Sequence, residues 1–319
     1  MPDVYMHSRF VEDLIAARSS DIDPNIAMLG AQFSDPMYYA VFHKEAKRYR
    51  DIADRMHDTD TRGLLIRMTE YLQQHDTPDN RSFFFGFLAH YALDVKVHPY
   101  VYHHVGIYDK NDPTTHDWRG LHLKFERSID AVLFQDEQHR PARTLRLIPR
   151  YFPLKTVPSE VLAFMKDAID HQFGCTDGDV IYATSVRHMY RILQWMTADR
   201  FGIKKQVYKV LDWFRRDQDL FVADMSFFGH IEAYDFLNET HRTWRHPITG
   251  ETSTSSVREL YQEALGFASE LLDAVDGFRQ GTPIDLSKVF TNLSLNSGVS
   301  CTVDSPFRHF GIYRPKNNL

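Results

Sequence analysis

"FFFGFLAHYALDVKVHPYV", Phe83–Val101, is an apolar run broken by His90, Asp94 and His98, each four residues after the last. On a helix, residues four apart share nearly one face, so these three project in one direction with a slow drift around the axis. Phe83, Phe84, Phe85, Phe87, Leu88, Leu93, Val95 and Val97 cover most of the remaining circumference, which predicts an interior helix. Buried ionisable groups need partners. A polar hydrogen-bonded core network would supply them, and so would a metal ion, because neutral imidazole and carboxylate are standard zinc ligands. Pro99 is expected to end the helix and to leave His98 at an opening.

Working outward, apolar residues at spacings of three and four dominate, as in Phe10, Leu14 and Ile15 or Tyr190, Leu193 and Met196, while strand-like alternation is scarce. The expected fold class is all-α, a multi-helix bundle. Helices are predicted near 7–18, 36–56, 60–74, 80–98, 118–134, 158–173, 179–198, 203–216, 218–236 and 255–279, and Pro24, Pro113 and Pro158 mark helix starts or turns. Residues 136–160, rich in proline and charge, read as a long connection. The sequence turns polar and turn-forming from Asn238. The expected organisation is therefore a helical metal-binding domain, 1–237, and a loop-helix-loop extension, 238–319, packed on the same body.

Composition narrows the function classes. The chain has 319 residues, 43% hydrophobic and 13% aromatic, enough for a sizeable core. Its net charge of -6 gives no general pull toward a polyanion, so a nucleic-acid partner is disfavoured. Cys175 and Cys301 form no CxxC pair, so any metal must be held by nitrogen and oxygen. No apolar run approaches a membrane span, and the first twenty residues lack a basic segment followed by an apolar one; the expected location is the cytoplasm. No amphipathic membrane-binding segment is evident in the sequence.

Other segments add ligand types to the stripe. "HLKFERSID" sets His122 and Glu126 four apart on an amphipathic helix, a spacing that also occurs on solvated faces. "RMHDTDT" adds His57, "LGAQFSDPMYY" adds Asp35, and "YMHSRF" adds His7. Together, in this order, these five segments resemble the zinc-dependent phospholipase C family, and in particular its leaderless bacterial branch, with a more distant similarity to the single-strand-specific zinc nucleases. The resemblance is strong over residues 1–135 and returns in "LNETHRTWRHPITGE" and "TNLSLNSGV".

That resemblance implies an all-helical fold holding two or three zinc ions. Asp35, His57, His90 and Asp94 would bind a first ion and His98, His122 and Glu126 a second. Asp94 would also bridge to a third, together with His7 and the N-terminal residue. Two departures stand out. Secreted members present an N-terminal Trp where this chain begins Met1-Pro2, and they place two more residues between the equivalents of Asp94 and His98.

The implied activity is metal-dependent phosphodiester hydrolysis on a phospholipid or other small phosphate ester, with Asp35 as general base. A single-strand nuclease-like phosphodiesterase and a noncatalytic helical metal-binding scaffold are the alternatives. Asp58, Asp60 and Asp130 are candidates to orient the imidazoles. Phe33, Tyr38, Tyr39 and Trp118 read as core, or else as a wall for lipid or base. His103 and His104 read as surface imidazoles, and His241, Trp244 and His246 as a packed loop, or else as a closure over the site.

Overall fold

A computed structural model describes residues 3–18, 21–214, 220–229 and 233–314. The chain is all-α: α1 (Val4–Arg18), α2 (Pro24–Gly30), α3 (Ala46–Asp58), α4 (Thr61–Gln74), α5 (Pro78–Val105), α6 (Leu121–Gln138), α7 (Ser159–Phe173), α8 (Gly178–Ile192), α9 (Ile203–Phe214), α10 (Val257–Arg279) and α11 (Leu286–Val289). Two strands of two residues each, β1 (Trp244–Arg245) and β2 (Thr252–Ser253), pair antiparallel.

The central element is α5, whose 28 residues are almost all buried. Thr77 caps it by accepting the Asn80 amide, and Pro78 occupies the first turn, where a missing N–H costs nothing. α2 and α10 pack along it. The α2 contact is unusually close: a Cβ on Gly30 would lie 2.0 Å from the Phe83 carbonyl oxygen, and one on Gly86 1.9 Å from that of Ala27. Only glycines allow this approach. α10 starts with a capping box, Ser256 and Glu259 each bonding the other's backbone amide, and buries Leu260, Ala264, Ala268, Leu271 and Val275 on one face.

Several predicted boundaries move. Pro99 does not end the helix, since α5 runs on to Val105. One lost backbone bond is tolerated where both sides are packed, and a Cβ on Gly298 would meet the Val95 carbonyl, the group Pro99 leaves without its helical donor, at 2.5 Å. The helix predicted over 36–56 is two elements: Pro36 opens a 3-10 turn, Asp35–Tyr39, closed by the Ala40 amide on Met37, and α3 begins seven residues later. Near 118–134, a 3-10 turn over Pro113–Trp118 comes first and Gly120 at φ 71° separates it from α6.

α8 ends in a π turn, Leu193–Thr197, rather than continuing to 198. The predicted helix 218–236 is replaced, in its described part, by a 3-10 turn over Val222–Met225, whose first two amides are taken by Asp212. Residues 215–219 and 230–232 of these predictions lie outside the described residues. α2 and α11 were not foreseen; at seven and four residues they are too short for periodicity to reveal.

Candidate metal centre

Five pieces of chain, α5 among them, converge at one place. α1 brings His7, the 3-10 turn brings Asp35, the end of α3 brings His57, α5 brings His90, Asp94 and His98, and α6 brings His122 and Glu126. Three groups form, each with ligand atoms within 4.8 Å of one another: His7, His90 and Asp94; Asp35, His57 and His90; and His98, His122 and Glu126. All eight residues named from the sequence are thus brought together. His122, 36% exposed, is the one that faces an opening. His98, expected there, is fully covered, because the helix continues past Pro99 and residues 293–298 lie over it.

The imidazoles are aimed by backbone carbonyls. Nδ1 of His57 lies 2.8 Å from the Ala53 oxygen, Nδ1 of His90 2.9 Å from that of Ala31, and Nδ1 of His98 2.5 Å from that of Leu295. A carbonyl can only accept, so each Nδ1 carries a proton and each ring turns its Nε2 to the interior, where in the neutral form that atom is a bare ligand. Among the described residues those three Nε2 atoms make no hydrogen bond, nor do Asp35 Oδ1, both Asp94 oxygens or either His7 nitrogen.

These atoms face one another instead: His90 Nε2 and Asp94 Oδ2 at 3.1 Å, His7 Nε2 and Asp94 Oδ1 at 3.3 Å, His57 Nε2 and Asp35 Oδ1 at 3.6 Å, and His98 Nε2 and Glu126 Oε1 at 3.5 Å. Where both partners present lone pairs, a cation placed between them satisfies both. The donor set, nitrogen and carboxylate oxygen with no thiolate, fits zinc.

With nothing between them, these groups act strongly on one another. Burial alone raises the Asp94 carboxyl, but the facing His90 and His7 rings outweigh it and hold it far below the usual carboxylate range. Burial disfavours the His90 cation, yet Asp94 and Asp35 prevail and raise its pKa. His7 goes the other way, lowered by burial and then by His90, on which its ring stacks at 4.4 Å.

A family model for zinc-dependent phospholipase C matches residues 6–176. The chain belongs to the zinc-dependent phospholipase C family. That match spans every element that carries a phospholipase C ligand type here, from His7 to Glu126. Comparison with curated proteins and with solved structures gives no match.

Asp58, Asp60 and Asp130, expected to orient the imidazoles, are instead bonded to backbone amides and to Ser294 and Asn296, because backbone carbonyls already hold the Nδ1 atoms of His57, His90 and His98. Asp130, buried on α6, accepts the Tyr5 and Met6 amides at 2.8 and 3.0 Å and so anchors the first turn of α1, one residue from His7. Asp60 instead caps α4 through the Gly63 amide, a local structural role. Asp58, exposed at the end of α3, bonds Ser294 Oγ and Asn296 Nδ2, tying α3 to the 293–298 segment.

Phe33, two residues before Asp35, adopts a left-handed φ of 39° and packs on Phe87 at 4.0 Å and on the His90 ring at 5.6 Å. A buried aromatic in that region is strained, by about 1–3 kcal/mol, and here the bend turns the chain toward the centre. Tyr38 bonds Asp54 at 2.8 Å, with its ring 5.8 Å from that of His57. Trp118 packs on Phe310, and the Tyr39 hydroxyl is pushed up by burial, with Asp3 next in weight.

The 293–298 segment lies within "TNLSLNSGV", where the resemblance returns, but its role at the centre is one the sequence does not state. The Leu295 amide bonds the His57 carbonyl at 2.9 Å while the Leu295 carbonyl takes His98, so one residue clamps two proposed ligands. Gly298, at φ 69°, lets the turn sit on α5. His246 in turn holds the Ser297 carbonyl at 2.9 Å, and Trp244 is buried with its indole N–H on Ser255. The loop 238–253 is therefore packed behind this clamp, and His241 is left exposed.

His103 and His104 are not surface imidazoles: His103 is buried, and the His104 ring stacks 5.3 Å from Phe125. The continuation of α5 past Pro99 carries both inward. Tyr102, also unforeseen, stands at the mouth, its ring 4.9 Å from that of His122 and its hydroxyl on Asn296.

Proposed function

We propose that the chain is a zinc-dependent phosphoric diester hydrolase of the phospholipase C kind, cleaving the bond between glycerol and phosphate in a phospholipid. The observation that carries this reading is the set of inward, hydrogen-bond-free Nε2 and carboxylate atoms on separate elements. Asp35, His57, His90 and Asp94 would hold one zinc and His98, His122 and Glu126 another, with His7 and Asp94 available to a third. Bound zinc lowers the pKa of water and offsets charge on phosphoryl oxygens.

The protein's own contribution is positional. Asp35, proposed both to hold zinc and to act as general base, would accept the proton of the attacking water at a carboxylate oxygen. The carbonyls of Ala31, Ala53 and Leu295 fix each ring in the tautomer that presents Nε2. Three protein groups around the His98 set and the partial exposure of His122 favour a site with room for substrate over a closed structural one.

Elemental analysis of the purified chain, with turnover of p-nitrophenyl-phosphorylcholine and bis-p-nitrophenyl phosphate, tests the proposal. At least two zinc ions per chain and chelator-sensitive turnover are expected. Tightly held zinc without turnover of either ester would return the protein to the scaffold reading, and preference for single-stranded DNA would make it nuclease-like.

A further inference from the structure

α9 is seated on the protein by its polar side. Its half-covered residues are Lys204, Lys205, Tyr208 and Asp212, which share one face, and none of its residues is buried. Asp212 takes the Val222 and Ala223 amides at 2.7 and 2.8 Å, and Lys205 Nζ donates to the Phe228 carbonyl at 2.8 Å. The opposite face carries Ile203, Val207, Val210, Leu211 and Phe214, spaced i, i+4, i+7, i+8 and i+11, with Trp213 beside them. These six are between 43% and 71% exposed.

The stripe continues beyond the helix. Trp195 and Phe201, 70% and 75% exposed, precede α9 in a turn that Asp199 ties to it by accepting the Lys204 and Lys205 amides. Charge is segregated here as well. Residues 200–209 contain Arg200, Lys204, Lys205 and Lys209 and no acidic residue, in a chain of net charge -6. An outward apolar face rich in Trp and Phe, flanked by lysines, has the chemistry of the boundary between acyl chains and anionic headgroups.

The patch is also joined to the centre. Phe221 lies under the Arg119 guanidinium at 4.6 Å and Phe227 under that of Arg127 at 4.9 Å, so the described part of 220–229 links α9 to α6, which carries His122 and Glu126.

We propose that α9 and the Trp195–Phe201 turn form a docking element that lies flat on an anionic phospholipid surface. The proposal deepens the hydrolase reading, on which it rests for its substrate, by making that substrate a lipid presented in a surface rather than a dissolved ester. Exposed Arg200 and Lys209 give the initial attraction, and the stripe enters the headgroup boundary.

Flotation of the full chain with vesicles of phosphatidylcholine and phosphatidylglycerol tests this without any turnover. The wild-type chain is expected to float, and V207D/L211D to lower its partition coefficient by about thirtyfold or more. R200E/K209E is expected to lower it by about tenfold or more on the anionic vesicles and to leave little further dependence on salt. All four positions lie away from the proposed ligands, so p-nitrophenyl-phosphorylcholine turnover should be unchanged in both variants. If no ester is turned over but flotation still depends on the stripe, the hydrolase reading fails and the docking element stands.

Absence of flotation, or equal flotation by wild type and V207D/L211D, overturns the proposal. So does a wild-type dimer on size exclusion that V207D/L211D converts to a monomer, with no vesicle binding by either; the stripe would then be a face between two copies.

Discussion

α5 and α9 are built on opposite plans. α5 is apolar nearly all round and turns three ionisable residues inward, where among the described residues their Nε2 and carboxylate atoms find no hydrogen-bond partner. α9 uses its polar residues to grip the protein and turns its apolar ones outward, to a place where none of the described residues covers them. Each breaks the ordinary arrangement of a globular helix, and each break is where a function is proposed to reside: cation binding in one, surface binding in the other. Unsatisfied polarity inside and unsatisfied apolarity outside are the same signal with the sign reversed.

The two helices should therefore respond oppositely to substitution, and the sharpest contrast comes from the α5 stripe. Asp94→Asn removes a charge shared by His7 and His90 and is expected to cut turnover of bis-p-nitrophenyl phosphate by about a thousandfold or more, with loss of zinc measured on the same sample. Retention of full zinc and full turnover would break the comparison at its centre.

Gly86→Ala places a methyl where the Ala27 carbonyl stands at 1.9 Å, so α2 must back away from α5. We expect a loss of about 1–3 kcal/mol in urea unfolding, and about ten- to a hundredfold weaker zinc binding, because the Ala31 carbonyl that aims His90 moves with α2. Zinc affinity unchanged at reduced stability would show that the carbonyl does not set the ring.

Acid should loosen the C-terminal half of α5. Burial, and then the neighbouring His103, lower the His104 pKa from its ordinary value near 6.5 to about 3. The folded state prefers the neutral ring, so between those values the unfolded chain binds more protons, and stability falls as pH falls from 6.5 toward 3. His104→Gln should flatten the dependence of the urea midpoint on pH in that window. An unaltered slope would assign the acid response to other groups.

The smallest effect belongs to α9. Val210→Ser removes apolar surface that is already in water, and the thermal midpoint should correspond to a change within about 0.5 kcal/mol. A loss several times larger would mean that the stripe is covered by the protein itself in solution.

What could be read from the sequence follows from the same contrast. The α5 stripe was legible because a four-residue spacing in a helix dictates a shared face, and the order of the five segments is enough on its own to point to the family. The clamp was not legible, since Ala31, Ala53 and Leu295 act through backbone oxygens that every residue possesses. Pro99 misled because its cost is local, whereas packing on both sides of α5 settles where the helix ends. For α9, periodicity states which residues lie together but not which way they look. The direction is set by Asp212 and Lys205 finding partners on 222–228, a tertiary fact.

The residue that aims His98 comes 197 positions after it in the chain. A ribosome adding roughly 5–20 residues per second needs roughly ten to thirty seconds to go from Glu126 to Leu295. Throughout that interval every proposed ligand has been made, yet one ring has nothing to hold its tautomer. Ordering of the proposed centre thus waits on residues 293–298, and a protease that clipped the chain before residue 293 would remove both the carbonyl that aims His98 and the amide that holds the His57 carbonyl.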